Sequence, residues 1–249
     1  MRQTEKIADR NVCATRQESA AADCATGTAQ AVPGRHEGRA ACVIGAGPSL
    51  AGFDYGRCGD AVRIAINAML RWVPADYGVF IDREPFQRSP LRRPLESFAG
   101  EVVAPRNFGR FFGRAITEFD LDCKAKEIEI EWPRLALGRP TAASLGVALA
   151  YVMGCRPIYL LGFDYRLGPK GERHTHAGGR NYEPGDLDKL RVKLERVLAA
   201  LREREAELVN VTPHEVGGVE HGFIKFAPYS ELREVPTKDR ASFDLRRKR

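Results

Sequence analysis

Asp164 and Tyr165 end the apolar run PIYLLGFDY, and two histidines follow in GERHTHAGG, His174 and His176. An imidazole with an unperturbed pKa near 6.5 suits proton transfer close to neutrality. Loops that follow a sheet strand are common seats for such groups. His176, with glycines after it, is the stronger candidate for a catalytic role; His174 also reads as a solvated neighbour. Asp164 is either a catalytic carboxylate or the cap of the next turn.

A second candidate lies in VIGAGPSL, where Gly45, Ala46, Gly47, Pro48 and Ser49 follow an expected strand and should open a helix. Glycines there let backbone approach a ligand, and a helix N-terminus offers unpaired N–H groups to a phosphate. Pro48 suits a first helical turn because it has no N–H to leave unpaired. Ser49 adds a hydroxyl. Leu50 stands where a dinucleotide fingerprint needs its third glycine, and the G-K-[ST] ending of a Walker loop is missing. The loop alone is a moderate signal for a bound phosphate, with a tight turn that holds no ligand as the lesser alternative.

Phosphoryl transfer would need carboxylates to hold Mg²⁺. Asp82 and Asp164 are the candidates. Asp120 and Asp122, in EFDLDCK, form a weaker pair with no clear strand before them. Asp186 and Asp188 open a long helix, where acids favour the dipole, and need no chemistry. His214 and His221 follow the last expected strand and read first as surface loop; His36 reads as linker. The cysteines (Cys13, Cys24, Cys42, Cys58, Cys123, Cys155) show no zinc spacing or C-x-x-C, and a disulfide framework is not expected. Cys42 and Cys155 lie in apolar segments and read as core.

The elements that must position these residues alternate between strand and helix. Strands are expected at 41–45, 62–66, 77–81, 101–105 and 157–161, with a closing strand at 208–212. The alternation EIEIEW (127–132) reads as an edge strand or an excursion from the sheet. A helix is expected over Thr141–Met153, with Gly154 ending it, and a long amphipathic helix over Asp186–Leu208. This pattern implies a Rossmann-like, doubly wound α/β domain with a mostly parallel sheet. Residues 1–38 are expected to be a flexible leader, 39–232 the domain, and 233–249 a basic tail.

The chain has 249 residues, of which 43% are hydrophobic, enough for one good-sized core. No apolar run approaches the roughly 18–20 residues of a membrane span, and no secretory apolar segment opens the chain. A cytoplasmic protein is expected. The net charge of +6 is concentrated in RRKR at the end and between Arg83 and Arg114. Such charge is either solvated surface or an attraction to phosphate; no nucleic-acid motif accompanies it. RNFGRFFGR (106–114) reads as core aromatics with a charged face, ahead of a base-stacking surface or an acceptor-side lid.

Taken together, G-x-G-P-S-L, the Asn after the second strand, the Thr-Ala-Ala helix start and the strand ending G-x-D-[FY] resemble a known superfamily. It comprises the bacterial sialyltransferases of the Campylobacter type and the MptE-like proteins. The latter include 6-hydroxymethylpterin pyrophosphokinases, flagellar motility accessory factors and many phage proteins. The resemblance covers roughly residues 41–212.

It implies that Gly45, Ala46, Gly47, Pro48 and Ser49 lie along the nucleotide's phosphate and ribose, and that Asn67 lines the donor pocket. Arg139, Thr141, Ala142 and Ala143 match the turn that contacts the nucleotide. Asp164 and Tyr165 match the strand-end pair, with Tyr165 assisting departure of the phosphate. His176 matches the histidine of a G-x-x-x-H-A-x-G loop. Two positions depart from the sialyltransferases: Ala46 and Asp82 stand where those enzymes carry Asn.

The implied activity is glycosyl transfer from a nucleotide-sugar donor, with His176 as general base and no required cofactor. The acceptor is undetermined between a glycan, a small molecule and DNA, and so is the oligomeric state. The alternative is an Mg²⁺-dependent pyrophosphokinase in which Asp82 holds the metal. A third reading keeps the fold as a non-catalytic phage-type or nucleic-acid-binding module.

Overall fold

The computed structural model describes residues 32–81, 97–106, 108, 115–168, 170–172, 174, 183–211 and 225–226. They form a ten-stranded sheet in the order β10-β9-β8-β1-β2-β3-β4-β5-β7-β6. The strands are β1 Ala41–Ile44, β2 Val62–Ile66, β3 Tyr77–Val79, β4 Glu101–Pro105 and β5 Thr117–Asp122. They continue with β6 Glu129–Glu131, β7 Arg134–Ala136, β8 Ile158–Leu161, β9 Leu208–Asn210 and β10 Lys225–Phe226. All described pairs are parallel except β6 with β7. The expected α/β architecture is present.

Helix α1 is Ala142–Val152 and α2 is Pro184–Glu203. Both pack on one face, over Val43, Ile64 and Leu160. The other face presents Cys42, Ile44, Ala65 and Leu161 to Met69, Leu70, Phe80 and Phe108. Strands covered on both faces need apolar residues at successive positions, which is why ACVI and IYLL lack alternation. α1 is buried over most of its surface, and its small residues bring it close to the sheet. A Cβ on Gly146 would sit 3.0 Å from Val43 Cγ1.

Several expectations need correction. No α-helix follows the glycine loop; Pro48–Leu50 is one 3-10 turn, and a second follows at Tyr55–Cys58. Gly52, Gly56 and Gly59 interrupt the stretch, each costing a helix about 1 kcal/mol. β5 and β7 were not expected, because acids fill the outward positions of TEFDLD and RLA is too short to show a period. The edge-strand reading of EIEIEW holds: Ile130 is buried between exposed Glu129 and Glu131 at the sheet border. β9 does not close the sheet, since β10 lies beyond it. α2 ends before Leu208 because Glu205 turns left-handed (φ 58) and the Ala206 N–H bonds back to Leu201.

The segment 32–38 does not behave as linker. Val32 is fully buried, and the N–H groups of Gly34, His36 and Gly38 bond to the carbonyls of Val152, Met153 and Gly154. Arg35 pairs with Glu101 at 2.5 Å, and His36 Nε2 lies 2.8 Å from the Tyr77 hydroxyl. These contacts tie the segment to the end of α1 and the amino edge of the sheet. Residues 1–31 and the tail 233–249 lie outside the described residues.

Candidate functional site

β1 is flanked by β2 on one side and β8 on the other, so the winding reverses between β1 and β8. Ligands of open α/β sheets bind outside the carboxyl ends of the strands at such a switch point. The two loops leaving it are those singled out by residue type, Gly45–Ser49 after β1 and Gly162–Tyr165 after β8.

They are zipped together. Gly45 N–H donates to Leu161 O at 2.8 Å and Gly47 N–H to Gly162 O at 2.9 Å. Ser49 then donates its N–H to Asp164 Oδ2 at 2.7 Å and its hydroxyl to Asp164 Oδ1 at 2.5 Å. The glycines serve this contact. A Cβ at 45 would lie 2.7 Å from Gly162 O, and one at 47 would lie 2.5 Å from Asp164 Cγ. Sequence reasoning assigned these glycines to ligand approach; the structure gives them an intramolecular reason. It also spends the N–H groups of Gly45, Gly47 and Ser49 inside the protein.

Asp164 is the one charged side chain among the described residues that is buried, with 1% exposure. Burial raises its pKa to about 6 despite the opposing hydrogen bonds from Ser49. Tyr165, next to it, is half-buried, holds φ 48 and packs its ring 6.4 Å from that of Phe163.

α1 supplies a second wall. Its Gly146 abuts Val43 and Ile66, near the carboxyl ends of β1 and β2. The helix start therefore reaches past the strand ends, toward Asn67. Thr141 caps the helix: its Oγ1 accepts from Ser144 N, while Ser144 Oγ accepts from Thr141 N. The capping role of Ser144, buried at 0% exposure, was missed from the sequence although T-x-x-S carries its spacing. Leu145 N–H bonds to Thr141 O, so Ala142 and Ala143 hold the first-turn N–H groups that capping leaves over. Arg139, exposed, turns the chain into this cap with φ 58, after Gly138 at φ 51.

Four non-glycine residues among those described have positive φ: Asn67, Arg139, Tyr165 and Glu205. Three of them are site candidates. Such conformations cost on the order of 1 kcal/mol or more and cluster at functional sites. Asn67 adds a second irregularity, for its Oδ1 is buried with no hydrogen-bond partner among the described residues.

Other candidates have different roles or fall elsewhere. Asp120 lies on β5 and is held by Arg106 Nε and Nη2, at 2.7 and 3.1 Å, which lowers its pKa. Asp122 Oδ1 accepts from Lys124 N. Among the described residues no group of three or more His, Cys, Asp or Glu could hold a metal ion. Of the run 106–114 only two residues are described: Phe108 is core, and Arg106 on the surface faces Asp120; the rest lies outside the described residues. His174 is half-buried. Asp82, His176, His214 and His221 lie outside the described residues. No described helix is long and apolar enough to cross a membrane.

No family model matches the chain, and no curated protein does. Solved structures do. The MAf glycosyltransferase from Magnetospirillum magneticum AMB-1 superposes with a TM-score of 0.54 at 16% identity, over 82% of this chain and 38% of the larger protein. The chain thus spans well under half of that enzyme. The sialyltransferase CstII from Campylobacter jejuni, in complex with cytidine-5'-monophosphate, matches at 0.49 and 17% identity, over 78% of this chain and 86% of that one. At these identities the likeness is one of fold: the chain has the α/β fold seen in a glycosyltransferase.

Proposed function

We propose that this chain is a nucleotide-binding transferase that moves a sugar from a nucleotide-sugar donor to an acceptor hydroxyl. The observation that carries the reading is strained backbone and unspent polarity on the loops at the carboxyl ends of the strands. Asn67, Arg139 and Tyr165 all hold left-handed backbone, and Asn67 Oδ1 is buried with no hydrogen-bond partner among the described residues. The fold's likeness to a glycosyltransferase supports it.

The donor phosphate lies at the start of α1, where the Ala142 and Ala143 N–H groups and the helix dipole favour negative charge, and Arg139 adds a cation. Asn67 reads the donor. His176 takes the proton from the acceptor hydroxyl as its oxygen bonds to the anomeric carbon. The bond from that carbon to the phosphate oxygen breaks, and the leaving group departs with the electron pair. The Tyr165 hydroxyl donates to that oxygen.

Hydrolysis of CMP-, UDP- and GDP-sugars and of ATP, followed with EDTA and with added Mg²⁺, tests the proposal. Turnover of one donor in EDTA is expected. Turnover only of ATP with Mg²⁺ would replace sugar transfer by diphosphate transfer, and no turnover at all would remove the transferase reading.

A further inference from the structure

Asp164 combines properties that conflict in a catalytic carboxylate. It is the strand-end acid of the motif, yet it is 1% exposed and both its oxygens are engaged by Ser49. The space beside it is closed as well, for a single Cβ on Gly47 would come within 2.5 Å of its Cγ and Oδ1. A group that exchanges protons with a substrate, or ligates its metal, needs at least one oxygen directed at the cleft. Neither is left for that task.

We propose that Asp164 is a positioning residue: its carboxylate clasps Ser49 across the switch point and sets the spacing of the two loops between which the nucleotide binds. The inference rests on the nucleotide-cleft reading above. It explains why a carboxylate is tolerated in a core where no described cation lies beside it. The β1 loop has no helix of its own to hold it, only a 3-10 turn. Two charge-assisted bonds from one side chain fix its backbone and hydroxyl together. The polar groups facing the carboxylate are the Ser49 N–H and hydroxyl, and no charged side chain among the described residues shifts its titration. With a pKa of about 6, the clasp is ionised at pH 7.5.

The conservative variant separates positioning from catalysis. In Asp164→Asn the amide oxygen still accepts from Ser49 N–H and the amide nitrogen donates to Ser49 Oγ, so the clasp keeps its geometry and loses its charge. Donor turnover and nucleotide affinity should stay within about threefold of wild type. Asp164→Ala, or Ser49→Ala if the former does not fold, should weaken nucleotide affinity about tenfold, the effect of one lost hydrogen bond. A fall in kcat of about a hundredfold in Asp164→Asn would make the residue catalytic and overturn the proposal; so would unchanged affinity in Asp164→Ala.

Two readouts need no nucleotide and survive failure of the transferase reading. Amide exchange over residues 45–50 should match wild type in Asp164→Asn and quicken about tenfold in Asp164→Ala. Thermal unfolding supplies the other. The folded carboxyl has a raised pKa, so its contribution to stability is fully present below the unfolded value near 3.9 and is lost as pH rises through about 6. The Asp164→Asn variant, neutral throughout, should therefore gain Tm over wild type as pH goes from about 5 to 7.5. Unchanged exchange in Asp164→Ala would show that no clasp exists, and a Tm gap independent of pH would show that the carboxyl is not buried as the proposal requires.

Discussion

Gly47→Ala is expected to cost the protein about 3 kcal/mol of folding stability or more, although it adds one methyl group. That methyl would lie 2.5 Å from Asp164 Cγ and Oδ1 and 2.6 Å from Gly162 O. Neither neighbour can retreat. Gly162 O accepts from Gly47 N–H, and Gly162 itself sits at φ 68, where a side chain would strike Leu50. Asp164 is held by Ser49 and enclosed by core. Against this, alanine gains only about 0.4–1 kcal/mol by restricting the unfolded chain. Steric overlap wins. Tm should fall by about 6 °C or more, at about 2–4 °C per kcal/mol for a chain of this size. Gly185→Ala, in the first turn of α2 with nothing within 4 Å of its Cβ, is the control and should be neutral or stabilising. Equal Tm values for the two variants would mean that the loops are not in contact.

His176→Ala is expected to lower kcat for glycosyl transfer by about 10²–10⁴, the range associated with removal of a general base. Nucleotide affinity should be unchanged, because donor binding is assigned to α1, Arg139 and Asn67. Titration calorimetry with the nucleotide and steady-state rates with the donor separate the two effects. Full activity in His176→Ala would remove the base assignment while leaving the cleft intact.

The sequence made the central strands legible because burial on both faces forces uninterrupted apolar runs such as ACVI and IYLL. The sheet borders were harder to read. β5 carries acids outward, β7 has three residues and β10 has two, too few for any period to show. The missing helix after the glycine loop illustrates a further limit. GAGPSL has the local chemistry of a helix start, but Gly52, Gly56 and Gly59 beyond it interrupt any helix, and its N–H groups go to β8 and Asp164, distant in sequence. The same long-range contact turned Ser49 from a ligand donor into half of a clasp. Segment 32–38 looked like linker because PGRHEGR has no hydrophobic pattern; its attachment runs through backbone hydrogen bonds and the Arg35–Glu101 pair, which composition does not reveal. The left-handed conformations of Arg139 and Tyr165 have no sequence signature, whereas Asn is enriched in that region and Asn67 carries a weak one.

The claim that a nucleotide binds between the β1 loop, the β8 turn and the start of α1 is tested most directly by thermal shift with CMP, UDP and GDP in metal-free buffer. Wild type and Arg139→Gly should be measured side by side. Glycine relieves the left-handed backbone at 139 and removes the cation beside α1, so the variant should fold at least as well as wild type. One nucleotide should raise the wild-type Tm by about 5–10 °C at a hundred times its Kd, and the rise should shrink in Arg139→Gly. No shift with any nucleotide, or equal shifts in both proteins, would contradict the cleft described above.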